Sequence, residues 1–454
     1  MEEGKGKSLS VLMFPWLAHG HVSPFLELAK EMSERNFQVY FVSTLVNLNS
    51  FRPKIGSKYS EYIQLVELKL PNLSELPPHY HTTNGLPPHL INTLHKALDM
   101  ASFNFLSLLK TLNPDLVIYD FMQQWVPEMV SSLNIPSVHF LSSSAAFTSY
   151  LLHPNLRPNE KFPFPNLSDI QGCLDRGIAR ISQKPSDNEV SDIERFAMSL
   201  ERSSRLILVK SFRELEGECL DYLQSLLNKK MVPVGPLVRQ SETDENDETS
   251  KSCIEWLDKK EKGSTVFVSF GSEIFLSAED IEEIAFGLEL SGVNFIWVIR
   301  FPSGEEKTTK ETLPKGFTER VNERGIIIEK WAPQARILRH ESVGGFLSHC
   351  GWSSIMESLK LGVPIIASPV HNDQPVNAKL VEEVGVGMEV KRNEKGGFER
   401  KEIAKVIEEV VKGNGHKLVK KRAAEMSDRI SKNGDKDIDK AVEVLRSLCE
   451  MGRI

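Results

Sequence analysis

The amino-acid sequence predicts an α/β protein with two doubly wound domains facing a cleft, and three observations carry that reading. The chain has 454 residues, more than a single hydrophobic core holds at about 100–200 residues per domain. Short runs rich in Val, Ile and Phe alternate with segments of helical period almost from end to end, the pattern of βα units and a parallel sheet. The alternation stops near Met231-Val-Pro-Val-Gly-Pro-Leu237, and the stretch from Gln240 to Ser250 that follows is acidic and has no apolar residue. That composition reads as a linker.

The first domain, residues 1–239, is expected to hold strands at Ser10–Phe14, Gln38–Ser43, Ile63–Leu68, Leu116–Tyr119, Ser137–Leu141 and Leu206–Lys210. Between the first two, Pro24–Ser33 reads as a helix because Phe25, Leu28, Ala29 and Met32 recur at i, i+3, i+4 and i+7. After a linker at 240–252, the second domain (253–435) resumes with a strand at Thr265–Phe270, a helix at Ala278–Leu290 and strands at Phe295–Ile299, Ile326–Ile328 and Gly344–Leu347. A helix at Ser353–Lys360 and a strand at Pro364–Ala367 complete the alternation. Past Arg400 the chain turns helical and charged, with Ile403, Val406, Ile407, Val410 and Val411 on one buried face. Residues 436–454 carry a last helix, about Asp437–Cys449, which can pack on either domain, a return to the first included.

Composition narrows the function classes. Hydrophobic residues make up 40% and charged residues 26%, an ordinary balance for a chain that buries a core. The net charge of −7 offers no whole-chain attraction for nucleic acid or an anionic membrane. Cys173, Cys219, Cys253, Cys350 and Cys449 lie far apart and lack the close pairs of a zinc site or disulfide framework, so a reducing compartment is expected. No run approaches the ~18 apolar residues of a membrane span, and the polar N-terminus precedes an apolar stretch with no cleavage site, which together predict a cytoplasmic protein. The fingerprints G-x-G-x-x-G after the first strand, G-x-x-x-x-G-K-[ST], G-x-S-x-G and H-E-x-x-H are all missing, which removes typical dinucleotide, P-loop, hydrolase and zincin readings.

Chemistry concentrates between Trp331 and Gln374, 44 residues that read WAPQARILRHESVGGFLSHCGWSSIMESLKLGVPIIASPVHNDQ. A strand ending at Ser348-His349, a turn at Gly351 and a helix with Ser353 and Ser354 in its first turn would turn free amides and a positive dipole end toward a phosphate. Taken alone, such a serine is a cap. Here Gln334, His349, Ser354, Glu357, Asp373 and Gln374 crowd the strand ends, more polar groups than a buried face carries. Glu357 lies one helical turn from Ser354 and can accept bonds from two ribose hydroxyls.

This span resembles, nearly residue for residue, the signature box of plant family 1 glycosyltransferases, UDP-dependent enzymes that glycosylate small secondary metabolites. The resemblance implies two Rossmann-like domains in the GT-B architecture. It implies that Trp331 stacks on uracil, that Gln334 and the Ala332 backbone sit near base and ribose, and that Glu357 binds the ribose hydroxyls. His349 and Ser354 would hold the diphosphate, with Ser272 reaching it from the preceding strand end. Asp373 and Gln374 would bond the sugar hydroxyls beside Trp352, and a closing Gln374 is what the family shows when the donor is UDP-glucose. Ser353 stands where the family usually has Asn, a shorter reach for which the backbone and Ser354 are expected to compensate.

The resemblance continues through the first half. Gly20-His21, with Pro24 in the next helix, looks like the family's catalytic histidine loop, and Asp120 looks like the aspartate that orients it. Ser142 matches a hydroxyl near the donor sugar. An acceptor hydroxyl is a poor nucleophile, and a neutral imidazole backed by a carboxylate can take its proton. The implied reaction is inverting, with UDP-glucose as co-substrate and neither a cofactor nor a metal, performed by a monomer on a small-molecule acceptor.

The loop from Leu76 to His89 resembles the branch of the family that adds a sugar to a sugar, so His79, His81, Asn84 and His89 are candidates for a glycoside acceptor such as a triterpenoid, diterpenoid or flavonoid glucoside. Its composition alone describes a proline-rich loop. Alternatives are transfer to an aglycone, UDP-xylose or UDP-rhamnose as donor, a non-catalytic nucleotide-sugar binder, or an acyltransferase resting on His95-Lys-Ala-Leu-Asp99, one helical turn of H-x-x-x-D form.

Overall fold

A computed structural model describes residues 8–168, 170, 181–184, 190–238, 248–272, 274–301, 308–329, 331–413 and 415–451. The described chain divides into two compact units, one within Met1–Pro158, Ile178–Leu237 and Asn433–Ile454, the other within Asn159–Gly177 and Val238–Lys432.

The first unit is built on a parallel sheet of seven strands: β1 (Leu9–Phe14), β2 (Phe37–Ser43), β3 (Ile63–Glu67), β4 (Leu116–Tyr119), β5 (Ser137–Leu141), β6 (Leu206–Val209) and β7 (Lys230–Pro233). Their order is β3-β2-β1-β4-β5-β6-β7. Central strands such as β4 and β5 are buried at every residue, as expected where helices cover both faces of a sheet. Strand β7 falls where the alternation was expected to stop. Pro233 ends it at the sheet edge, where its missing N–H costs no ladder bond.

The second unit holds β8 (Thr265–Ser269), β9 (Asn294–Val298), β10 (Gly325–Ile328), β11 (Val343–Ser348), β12 (Ile365–Ala367) and β13 (Gly387–Glu389), all parallel, in the order β10-β9-β8-β11-β12-β13. Helix Arg400–Val411 buries Ile403, Val406, Ile407, Val410 and Val411 in this unit's core, the face its periodicity marks out.

Several boundaries differ from expectation. The first helix starts at His19, so Pro24 lies inside it, and His21 occupies the first turn, where its N–H bonds the Ala18 carbonyl. Of the expected linker, 240–247 lie outside the described residues, while Glu248–Leu257 is a helix anchored by buried Cys253 and Leu257. Asn159–Gly177 groups with the second unit, where helix Pro165–Ser168 packs on helix Gln374–Glu383. The C-terminal helix spans His416–Met451, and its residues Ile438, Ala441, Val442, Leu445, Leu448 and Cys449 join the core under β1 and β2. No helix among the described residues is long and apolar enough to cross a membrane.

Candidate active site

In the first unit the sheet reverses direction between β1 and β4, the topological switch point at which doubly wound sheets leave a crevice beyond their strand ends. The residues that follow these two strands meet there. Phe14 pairs with Tyr119, so Asp120 emerges beside the loop 15–18 that leads into His21. Asp120 Oδ2 lies 2.8 Å from His21 Nδ1 and accepts the Trp16 N–H at 3.0 Å, while Oδ1 accepts the Phe121 N–H at 2.8 Å. The carboxyl is 1% exposed. Burial alone would raise its pKa, but the adjacent His21 imidazole, His139 and the Trp16 amide outweigh that and hold it below the usual carboxylate range.

An ionised carboxylate can only accept, so Nδ1 of His21 is the protonated nitrogen and Nε2 keeps its lone pair. Ser142, directly after β5, brings Oγ to 3.1 Å from the same Nδ1. It therefore joins the dyad from the Nδ1 side. His21 itself is about a quarter exposed, with a 27% accessible side chain. His19 turns the other way, toward Lys54 and the Phe51 ring.

The second unit has its switch point between β8 and β11. Ser269 pairs with Ser348, so the loop at Phe270-Gly271-Ser272 and His349 emerge side by side. The imidazole of His349 is wedged between two glycines. A Cβ on Gly271 would stand 2.8 Å from its Cε1, and one on Gly351 2.4 Å from its Nε2, so side chains at either position would drive the ring out. Gly271 also has φ +80°, a conformation open to glycine. Burial, with His371 nearby, lowers His349 to about 4, so it is neutral at neutral pH. Helix Trp352–Lys360 starts directly after Gly351, with Trp352, Ser353 and Ser354 in the turn whose amides have no intrahelical acceptor.

Around this helix the candidate residues touch one another. Gln334 Nε2 donates to Glu357 Oε2 at 2.8 Å and reaches Ser354 Oγ at 3.4 Å. Trp331 is 44% exposed, an open aromatic face, with the Arg300 guanidinium 5.2 Å from its ring centre. Ala332 and Trp352 are buried, and Ser272 and Ser353 are half-buried. Gln374 is buried, and its Oε1 accepts the amides of Val370 and His371 at 2.9 and 3.0 Å, leaving its nitrogen as the remaining donor.

The acceptor candidates separate. His81 is buried, and its Nε2 holds the Leu76 carbonyl at 3.2 Å, so it braces its own loop. His79, Asn84 and His89 are exposed. That loop is tied to the one leading into His21, because the Leu17 carbonyl accepts from Thr82 Oγ1 and Thr83 N. In the acyltransferase pattern, Asp99 is bound at both oxygens by Arg195 and also accepts the Trp125 indole N–H, which describes a structural ion pair.

One residue of this site escaped the sequence reading. Asn377, fully buried, donates Nδ2 to Asp373 Oδ2 at 2.8 Å and to the Cys350 carbonyl at 3.0 Å. It ties the expected sugar-binding aspartate to the loop that presents His349. Its position three residues after Gln374 was the available signal, but the partner 27 residues earlier is a tertiary fact. Among the described residues no group of three or more His, Cys, Asp or Glu is placed to hold a metal ion.

Comparison with known proteins agrees with this layout. A family described as "Glycosyltransferase, N-terminal domain" matches residues 7–239, and "UDP-glucoronosyl and UDP-glucosyl transferase" matches 227–443. A mogroside IIIx synthase of Siraitia grosvenorii is 50% identical over 98% of this chain and 94% of its own length. A beta-D-glucosyl crocetin beta-1,6-glucosyltransferase of Gardenia jasminoides is 47% identical over 96% of this chain and 98% of its own. The crystal structure of Glycyrrhiza uralensis UGT73P12 with glycyrrhetinic acid 3-O-monoglucuronide shares the fold at a TM-score of 0.82 and 23% identity, over 98% of this chain and 97% of the other. The chain belongs to the UDP-glucosyl transferase family of plants, and it is a UDP-glycosyltransferase with two Rossmann-like domains and a UDP-sugar donor.

Proposed function

We propose that the enzyme transfers glucose from UDP-glucose, with inversion, to a hydroxyl of a sugar already carried by a small plant glycoside. The observation that carries the chemistry is the 2.8 Å contact of His21 Nδ1 with Asp120, which puts the ring proton on Nδ1 and the basic lone pair on Nε2. The acceptor O–H gives its proton to Nε2 while the oxygen forms a bond to the anomeric carbon. The bond from that carbon to the β-phosphate oxygen breaks, its electron pair leaves with UDP, and an α-linked donor yields a β-glycoside. Asp120 stabilises the imidazolium as the charge develops. In the second unit the first-turn amides of helix Trp352–Lys360, Ser354 and neutral His349 are the donors assigned to the departing diphosphate. Trp331 is assigned to uracil, Gln334 and Glu357 to the ribose, and Asp373 with the Gln374 amide to the glucose.

The sugar acceptor is supported by relatives whose names describe glycoside extension, the crocetin glucosyltransferase among them. A cytoplasmic location is supported by buried, free thiols at Cys350 and Cys449, which suit a reducing compartment. The test is incubation with UDP-glucose, UDP-xylose or UDP-rhamnose and matched panels of aglycones and monoglucosides. Disaccharide products from the monoglucosides with UDP-glucose are expected, and products from aglycones alone would overturn the acceptor assignment.

A further inference from the structure

A carboxylate with no part in the mechanism above lies buried in the first unit. Glu216 is 1% exposed, although it stands in a helix, Arg213–Leu227, with many solvated positions. Its backbone leaves helical geometry there, at φ −125° and ψ 25°. Oε1 accepts the Ala146 N–H at 2.8 Å, the Ala145 N–H adds a second bond, and Oε2 accepts the Ser211 hydroxyl at 2.6 Å. Burial raises the carboxyl to about 7, and these three donors work against that rise.

The two amides belong to the first turn of helix Ala145–Leu156, whose cap Ser144 takes the Phe147 N–H. An anion is favoured at that helix end, and the free amides there need acceptors. The residues just before this turn are Ser142 and Ser143, and Ser142 is the one that reaches His21 Nδ1. The path from Glu216 through two amides and three residues of chain therefore ends on the proposed base.

We propose that Glu216 is a positioning residue for sugar transfer: by clamping the first turn of helix Ala145–Leu156 it holds Ser142 against His21 and so fixes the ring that presents Nε2. This rests on the reading of His21 as the base. A role confined to packing one helix on another would lower the amount of folded protein without acting through Ser142, so a double-mutant cycle separates the two.

The experiment compares Ser142→Ala, Glu216→Ala, the double variant, Glu216→Gln and His21→Ala for kcat and KM on a monoglucoside with UDP-glucose, with folding followed by circular dichroism. Ser142→Ala and Glu216→Ala are each expected to lower kcat about tenfold, the weight of one lost hydrogen bond, with both KM values within about twofold. The double variant is expected to be no slower than the slower single. Glu216→Gln is expected to restore kcat to within about threefold, because its carbonyl still accepts the Ala146 amide and the Ser211 hydroxyl can accept from its nitrogen. Effects that multiply in the double variant, or an unchanged kcat in Glu216→Ala, would overturn the proposal. Should Glu216→Ala not fold, Ser211→Ala in the same cycle with Ser142→Ala decides it by the same criterion. Turnover retained in His21→Ala would instead remove the base assignment, whereas an inactive His21→Ala with multiplying effects removes this inference alone.

Discussion

The two sheets share one strand order but for the seventh strand of the first, and the residues at their switch points are chemical opposites. In each, the strand that crosses to the far side, β4 or β11, ends one residue before a polar side chain, Asp120 in the first unit and His349 in the second. The equivalent positions carry a buried anion in one case and a buried neutral ring in the other. Around Asp120 the neighbours are donors, the Trp16 and Phe121 amides and the His21 imidazole, which keep negative charge in place to stabilise a cation. Around His349 they are glycines and the start of a helix, which make room and present positive ends to an anion. In a protein of net charge −7 the groups assigned to the diphosphate are helix amides, a serine hydroxyl and a neutral imidazole rather than basic side chains.

The sharpest way to break this contrast is to remove the first site's charge. Asp120→Asn keeps the shape but can offer N–H to Nδ1 and favour the wrong tautomer, so kcat is expected to fall about 10²–10⁴-fold with UDP affinity unchanged, checked by steady-state kinetics and calorimetry. In the second site the space is the weak point. Gly351→Ala places a methyl 2.4 Å from His349 Nε2. UDP affinity is expected to drop about 10–100-fold, read by titration calorimetry on protein shown to be folded.

A subtler change tests the link between sugar and diphosphate loops. Asn377→Ala removes both the Asp373 and Cys350 bonds, and KM for UDP-glucose is expected to rise about five- to tenfold while Kd for UDP moves less. Equal losses for both ligands would show that Asn377 supports the whole domain rather than the sugar.

The smallest effect concerns acid. Burial depresses His139 and His349 to about 4. In the unfolded chain these rings titrate near 6.5, so the folded state takes up fewer protons between the two values. Their stabilising contribution is therefore complete above about 6.5 and is lost as pH falls toward 4. The urea midpoint is expected to decline over that window, and less steeply in His139→Phe, a variant in which the slope would stay unchanged if His139 were already charged in the fold.

How far these sites could be read from sequence follows from the range of the interactions. Residues that sit in one ordered stretch, from Trp331 to Gln374, are legible because their spacing preserves their order around a strand and a helix. His21 and Asp120 were legible as ends of two strands, and the register of β1 with β4 explains why they meet. Glu216 was not, because its value comes from a kink and from amides 70 residues earlier in the chain. His81 looked like an acceptor ligand by type, yet the fold turns it onto the Leu76 carbonyl. Strand β7 hid behind its proline, and the helix His416–Met451 starts well before the expected Asp437.

The central claim is that the first unit supplies the base and the second holds the donor. His21→Ala measured for both functions in one preparation tests it most directly. Glycoside turnover is expected to fall about 10²–10⁴-fold while Kd for UDP stays within about twofold of the unaltered enzyme. Retained turnover, or UDP binding lost together with it, would contradict that division of labour.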